Sequence, residues 1–484
     1  MRLSDEDAAF LYAETASGPM HGASIAILEG VIDFDTVYAH IDARLHLVPR
    51  YRQRLAFVPF NVAHPKWVDD PDFDLRNHVK HHRLNAGCQL EDAIEAALVL
   101  AEPLLPRSRP LWLTYVIEGL EDRTILLQLG HHAMVDGASG VDISLLLFDL
   151  QKHAAAPEPP KSAWSPAPLP SAAKLAAEAA AETLQNLTDS NPFRSQNFST
   201  DRFELLRRAT ESITRFVAEP VITAPWNVGA VGPKRELAWR KFSFSQFRDI
   251  RKKFGGTIND VVLAVVVEAA ARYMQDHGVT TKGRHVRVMC PVNVRSEDET
   301  GALGNRVSGI FPVFDAEPQA ITERLRKVRW ETEQIKQNRE AQAASLLREL
   351  APSIPAALMA PTLLVGTPLD PTALAARFPP PLPSNLVGRA PLLGFNFTCT
   401  NVPGVQTPQY VAGHQVLDTL VLLMLGGNLG YGVAVMSYNQ NLYFNFVCDP
   451  RLMPDVELMA SSVEEAFHEL LEASQEESRA VGGN

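Results

Sequence analysis

Basic excess, clustered cysteine and long apolar runs are all missing from this chain of 484 residues. Lys and Arg number 45 against 56 Asp and Glu, a formal net charge of −11. That balance argues against a general nucleic-acid binder, which needs a basic surface to release phosphate counterions. It argues equally against holding an anionic membrane by charge alone. The four cysteines, Cys88, Cys290, Cys399 and Cys448, are scattered, and none lies in a CxxC pair. Such usage speaks against a disulfide framework and fits a reducing cytosol. No run of about 18 apolar residues occurs, so no spanning helix is predicted. The nearest candidate, Leu420 to Leu425, stops at Gly426-Gly427. The N-terminus, Met1-Arg2-Leu3-Ser4-Asp5-Glu6-Asp7, is acidic and has no apolar core, so it is not read as a signal peptide. The expectation is a cytoplasmic protein.

What is present is a full core. Hydrophobic residues make up 46% and charged residues 21% of the chain, which rules out global disorder. The length suggests two or three domains at ~100–200 residues each. Ser4 with Asp7 reads as a helix start. Gly22 to Leu28 reads as a strand, and Val37, Ile41 and Leu45 mark one helix face. Trp112–Ile117 and Thr124–Leu129 read as adjacent strands parted by Gly119 and a charged turn. Six prolines between Pro157 and Pro170 exclude regular structure there and mark a linker. Helical patterns follow at Ala172–Leu187 and Phe203–Val217. A second α/β block opens near Leu237. It holds a helix capped by Thr257 from Ile258 to Tyr273, and strands at Val286–Met289, Phe395–Cys399, Val433–Tyr438 and Leu442–Val447. An amphipathic helix over Pro454–Leu471 ends the block. The expected division is 1–155, a linker with helices over 156–225, a second half over 226–474, and a disordered tail over 475–484. No repeat of fixed period is found.

The most informative segment is Gly130-His131-His132-Ala133-Met134-Val135-Asp136-Gly137. It joins an apolar strand to a helix with Val141, Leu145 and Leu146 on its apolar face, and such connections commonly carry sites. A neutral histidine can remove a proton from an alcohol near pH 7. Neighbours on an extended segment face opposite sides, so one imidazole can face a cleft and the other the scaffold. Asp136 can fix the turn or pair with a distant arginine, and Gly137 permits backbone angles that a Cβ would resist. No HExxH or CxxC accompanies the pair, and no metal site is expected. His81-His82 is read as a plain surface pair.

The spacing His-His-x-x-x-Asp-Gly resembles the signature of the acyl-CoA-dependent acyltransferase superfamily. Other segments narrow the resemblance to the bacterial wax ester synthase/diacylglycerol acyltransferase family. These are Pro19-Met20-His21, Arg109-Pro110-Leu111-Trp112, Ile117-Glu118-Gly119-Leu120 and Thr257-Ile258-Asn259-Asp260-Val261-Val262. Further on come Pro291-Val292-Asn293-Val294-Arg295-Ser296, Leu303-Gly304-Asn305-Arg306 and Asn401-Val402-Pro403-Gly404. They run in order over nearly the whole chain. Two departures are Pro103-Leu104-Leu105-Pro106-Arg107-Ser108, where many members carry Leu-Asp-Arg, and Leu113, where an acidic residue is common. The superfamily's Asp-Phe-Gly-Trp-Gly is absent, and Gly427-Asn428-Leu429-Gly430-Tyr431-Gly432 stands in a comparable place.

The resemblance implies an α/β fold with mixed sheets, in two chloramphenicol-acetyltransferase-like halves with the active site at their interface. It implies transfer of a long-chain acyl group from acyl-CoA, a co-substrate, to a diacylglycerol or long-chain alcohol, without a cofactor. His132 would be the general base and His131 its supporting neighbour. Asp136 would be structural, with Arg295 its candidate partner, and Gly137 completes the motif. Asn259 and Asp260 either cap and pack the helix or hold the acceptor and orient the catalytic loop. Trp112 is core or substrate wall. Asn401 and Gly404 serve a turn or the site. The stretch Ala351–Leu374, broken by five prolines, is a buried kinked pair of helices or a lipid-facing wall. Peripheral attachment to the inner membrane or to lipid inclusions follows as a hypothesis. Two other functions stay open: condensation on carrier-protein-bound acyl chains, and a silent lipid-binding member.

Overall fold

The computed structural model describes residues 1–59, 62–134, 147–189, 221–293, 307–338 and 394–481. Asp136, Gly137, Arg295, the helix expected over 203–217, the 303–306 segment and the stretch 351–374 lie outside the described residues.

Two mixed sheets organise the chain. The first runs in the order β12 (Tyr410–Val411), β13 (His414–Leu422), β1 (His21–Glu29), β6 (Arg123–His131), β5 (Trp112–Glu118), β4 (Val79–Arg83). Only β4 and β5 pair in parallel. The second runs β10 (Val313–Asp315), β8 (His285–Asn293), β11 (Phe397–Val402), β14 (Tyr431–Tyr438), β15 (Asn441–Cys448), β7 (Glu236–Ser243), with β9 (Val307–Ile310) also on β8. Its parallel pairs are β8–β11 and β11–β14. A hairpin, β2 (Gln53–Ala56) with β3 (Lys66–Asp69), flanks the first sheet.

Local chemistry starts the helices. In α1 (Asp5–Ala13), Ser4 Oγ accepts from the Asp7 N–H at 3.1 Å, and three acids in the first turn complement the helix dipole. Asp33 caps α2 (Phe34–Asp42) in the same way. The helices α3 (Leu90–Ala101), α4 (Ala172–Asp189) and α5 (Phe244–Phe254) precede the longest core helix, α6 (Ile258–Asp276). There Thr257 and Asp260 form a reciprocal capping box, with bonds of 3.2 and 2.7 Å. This helix is buried along nearly its whole length, against α7 (Ile321–Gln337) and α8 (Val456–Val481). Each fully buried Val or Leu side chain contributes about 1.5–3 kcal/mol. No single helix among the described residues is long and apolar enough to cross a membrane. The pair α5 and α6 reaches the length together but bends by 97°.

Two features differ from the expected division. Strands β12 and β13, which lie past residue 226 in sequence, complete the first sheet rather than the second. Val416, Leu420 and Leu422 of β13 are buried in the first core, so their apolar face is satisfied there. The tail expected to be disordered from residue 475 continues α8 to Val481. Ala473-Ser474-Gln475-Glu476-Glu477-Ser478-Arg479-Ala480 contains no helix breaker before Gly482.

The proline-rich segment has no regular structure, yet it is fastened to the first half. Trp164 stacks on the Arg52 guanidinium at 4.6 Å and meets Phe73 edge-on. The Ala167 N–H donates to Asp69 at 3.0 Å. Helix α4 is then held by Lys66–Glu178 at 2.7 Å and by Arg2–Glu182.

Candidate active site

Strand β6 delivers the histidine pair. It is buried from Thr124 to His131, and His131 faces His21 across β1 in register. The chain then turns, with the His132 N–H donating to the Met20 carbonyl at 2.9 Å and the Met134 N–H to His131 at 2.8 Å. This turn pins the two imidazoles to the start of β1.

The two rings meet different surroundings. His131 is fully buried, and its Nδ1 accepts from the Ala133 N–H at 3.0 Å. The proton therefore sits on Nε2, which lies 3.3 Å from Glu14 Oε1, within ion-pair range though off a good hydrogen-bond line. Glu14 follows α1, is 3% exposed, and takes a bond from the Met20 N–H at 3.0 Å. Arg107 Nη2 donates to Glu14 Oε2 at 2.8 Å and to the Leu11 carbonyl at 2.8 Å. Burial alone would raise the Glu14 carboxyl. His131 and Arg107 override it and hold the group at about 2.

His132 has none of these contacts. Its Nδ1 is buried without a hydrogen-bond partner among the described residues. The ring stacks on Phe10 at 4.7 Å between centroids, and Nε2 lies 4.0 Å from where a Cβ on Gly22 would stand. Burial, with a smaller effect from His131, pushes its titration down to about 4, so the imidazole is neutral at pH 7. His21 donates through Nε2 to the Ala101 carbonyl at 2.7 Å, and burial lowers its titration too.

The second half closes on this corner. Arg235 Nη2 donates to the Ser17 carbonyl at 3.1 Å and to the Leu425 carbonyl at 3.3 Å. Gly18 lies so close to the Leu425 carbonyl that a Cβ would stand 3.2 Å from it. Past the turn, Arg44 grips both oxygens of Asp149 at 2.9 and 3.0 Å, and His40 Nε2 donates to the Leu147 carbonyl at 2.9 Å. These contacts fix the point where the chain returns to the first sheet.

The other residues singled out from sequence divide. Asn259, in the first turn of α6, meets Asn401, at the end of β11, at 3.4 Å. Asp260 is buried in the capping box and also accepts from Thr332 Oγ1 at 2.8 Å, so its part is to start and dock α6. No hydrogen bond or ring contact joins this group to either histidine among the described residues. Asn401 lies on a strand, and Gly404 accommodates a close backbone approach, since a Cβ there would stand 2.1 Å from the Ser437 carbonyl. Trp112 is core, 2% exposed, its Nε1 donating to the Tyr51 carbonyl at 2.9 Å. His81 sits on β4 beside Glu118 at the surface. Asn428 is buried, its Nδ2 donating to the Asn227 carbonyl at 3.1 Å.

Glu14 and Arg107 escaped the sequence reading. The only signal for Glu14 was a carboxylate following the apolar run Phe10-Leu11-Tyr12-Ala13. Arg107 stands in the sequence only within a stretch that departs from the family pattern, whereas the structure gives it the task of holding Glu14.

Comparison with known proteins agrees with this architecture. The profile of the wax ester synthase/diacylglycerol acyltransferase catalytic domain matches residues 3–262, and that of the family's C-terminal domain matches residues 303–471. A Mycobacterium tuberculosis protein named as a diacylglycerol O-acyltransferase, tgs1, is 28% identical over 98% of this chain and 96% of its own. Another from the same organism, also named a diacylglycerol O-acyltransferase, is 31% identical over 70% of this chain and 72% of its own. Among solved structures, the wax ester synthase/diacylglycerol acyltransferase of Marinobacter aquaeolei superposes with a TM-score of 0.65 at 20% identity, over 98% of this chain and 100% of that one. The first condensation domain of the calcium-dependent antibiotic synthetase reaches 0.61 at 14% identity, over 98% and 95%. These two likenesses show a shared fold. With both family domains matched in order along it, the chain belongs to the wax ester synthase/diacylglycerol acyltransferase family and is an acyltransferase.

Proposed function

We propose that the protein moves a long-chain acyl group from acyl-CoA to the hydroxyl of a diacylglycerol or a long-chain alcohol, with His132 as general base. One observation carries the assignment of the base: of two adjacent imidazoles, His131 is held by the Ala133 N–H on Nδ1 and faces the Glu14 carboxylate with Nε2 at 3.3 Å, and His132 has neither nitrogen bonded among the described residues. A base must be neutral and have a nitrogen free for the incoming proton. Burial keeps His132 neutral well below pH 7.

In the reaction, His132 takes the acceptor's hydroxyl proton as the oxygen attacks the thioester carbon. The tetrahedral oxyanion collapses, the carbon–sulfur bond breaks, and the CoA thiolate leaves with the electron pair. The imidazolium returns its proton to that sulfur, giving ester and free CoA. No bond to the enzyme forms. His131, anchored by Glu14 and Arg107, positions the turn rather than exchanging protons with substrate. Both acceptors are water-insoluble, so the enzyme meets them at a lipid surface; flotation with phosphatidylcholine vesicles containing diacylglycerol tests this, and protein left at the bottom of the gradient refutes it.

The central test incubates labelled palmitoyl-CoA with hexadecanol or dipalmitoylglycerol. Wild type forms ester, and His132→Ala loses about 10²–10⁴-fold in rate while keeping its fold. Full activity in that variant would refute the assignment of the base.

A further inference from the structure

The last turn of α1 and its cap hold both imidazoles. Phe10 and Glu14 are four residues apart and so share a helix face. The Glu14 N–H donates to the Phe10 carbonyl at 3.2 Å. Glu14 carries its carboxylate to His131, and Phe10 lays its ring on His132, with 4.7 Å between centroids and 29° between planes. Arg107 fixes this turn, donating to the Leu11 carbonyl and to the Glu14 carboxylate at 2.8 Å each. The Phe10 ring is therefore placed before any substrate arrives.

Proton transfer then creates a charge. When His132 acts as base, the acceptor's O–H bond breaks, an N–H bond forms, and the ring becomes an imidazolium. It stays positive until the proton passes to the CoA sulfur. In a serine–histidine–aspartate triad, a carboxylate on the other ring nitrogen stabilises that cation. Here Glu14, the carboxylate beside the pair among the described residues, is engaged with His131, Arg107 and the Met20 N–H. His132 Nδ1 is buried with no hydrogen-bond partner among the described residues. Of the elements packed on the ring, β1 presents Gly22, and the titratable group acting on it is His131. What remains is the face of Phe10.

An aromatic face is negative and attracts a cation within about 6 Å of the ring centroid. At 4.7 Å the imidazole lies inside that range. An imidazolium gains more from the face than a neutral imidazole does. The contact therefore strengthens as the proton arrives, which speeds the step rather than tightening ground-state binding. We propose that Phe10 is a positioning residue whose ring face stabilises the His132 imidazolium in place of a carboxylate partner. This rests on the reading of His132 as general base.

The test replaces Phe10 in the full-length protein by 4-fluoro-, 3,5-difluoro- and 3,4,5-trifluorophenylalanine, which withdraw charge from the ring face and keep its shape. The single-turnover rate of ester formation from palmitoyl-CoA and hexadecanol or dipalmitoylglycerol is measured at saturation. It is expected to fall stepwise, by about 2–30-fold across the series, with half-saturating concentrations and unfolding midpoints unchanged. Phe10→Leu, which fills the space without a π face, should lose at least as much. A second readout needs no substrate. In ¹³C-histidine spectra, with the His132 signal assigned by its loss in His132→Ala, each added fluorine should move protonation of His132 to lower pH. Rates that ignore fluorine, or losses confined to half-saturation or to Phe10→Leu, overturn the proposal, and so does a titration that ignores fluorine. If no protein in the series makes ester, wild type included, while the titration shifts stepwise, the general-base reading fails and the imidazolium contact stands.

Discussion

Two carboxylate–arginine pairs are buried among the described residues, and they do different work. Glu268 and Arg324, joining α6 to α7, are 0% and 1% exposed. Glu268 takes bonds from Arg324 Nε at 3.0 Å, Arg272 Nε at 3.2 Å and the Gln319 N–H at 3.1 Å. Arg324 gives its other nitrogens to the Asp315 and Glu317 carbonyls at 2.8 and 2.7 Å. Every strong site on that carboxylate is occupied by a group that does not titrate near neutrality. Glu14 and Arg107 in the first half are nearly as buried, and Glu14 also takes the Met20 N–H, but its other side-chain partner is an imidazole with imperfect alignment. The first arrangement is closed on itself. The second transmits its geometry to the turn that carries His132. Burial and pairing alone do not distinguish a staple from a site; the third partner does.

Breaking each pair singly is the strongest test of that contrast. Glu14→Gln and Glu268→Gln each leave an arginine buried without its counter-charge, at a cost of about 3–5 kcal/mol. Urea unfolding should show similar losses for both. Turnover per folded molecule should fall at least tenfold in Glu14→Gln only. Equal retention of turnover would mean that Glu14 is merely another staple.

Replacing both partners sharpens the point. Glu268→Leu with Arg324→Met should regain most of the lost stability, because an apolar pair of similar volume often matches a buried ion pair. Glu14→Leu with Arg107→Met should regain stability without regaining turnover.

Acid probes the first half more gently. Glu14 titrates at about 2 in the fold against 4.5 for an ordinary carboxyl, so its stabilisation is complete above 4.5 and is lost as pH falls through 2. His132 is shifted from 6.5 to about 4, so the unfolded chain binds more protons between those values. Stability should therefore decline as pH falls from 6.5 to 4. His132→Ala should flatten that slope in unfolding midpoints, and the acid limb of kcat/KM should lie nearer 4 than 6.5.

The smallest effects come from two glycines. Gly404→Ala forces a Cβ to 2.1 Å from a carbonyl and should cost about 1–3 kcal/mol with turnover intact. Gly22→Ala places a methyl 4.0 Å from His132 Nε2, ordinary contact, and should leave the unfolding midpoint within about 0.5 kcal/mol while raising the acceptor KM.

Elements whose cause lies within a few residues were legible. The Ser4 start of α1, the Thr257–Asp260 box and the strand–turn carrying His131-His132 all follow from neighbours in sequence. So did the family, since its motifs keep their order. Contacts between distant residues were not. Glu14 and Arg107 are 93 residues apart, and Phe10 reaches His132 from another element. Nothing in either local segment specifies the other. The placement of β13 beside β1 was hidden for the same reason: its alternation defines a buried face but not which core receives it.

The sequence by itself determined the starts of α1 and α6, the strands β1, β5, β6, β14 and β15, and that two imidazoles stand at the end of a strand, because periodicity and capping act over single turns and adjacent residues. Only the tertiary structure decided that one imidazole is tied to Glu14 and that the other stands without a hydrogen-bond partner among the described residues. Those outcomes depend on strand register and on burial, which set dielectric and distance only after remote parts of the chain have met.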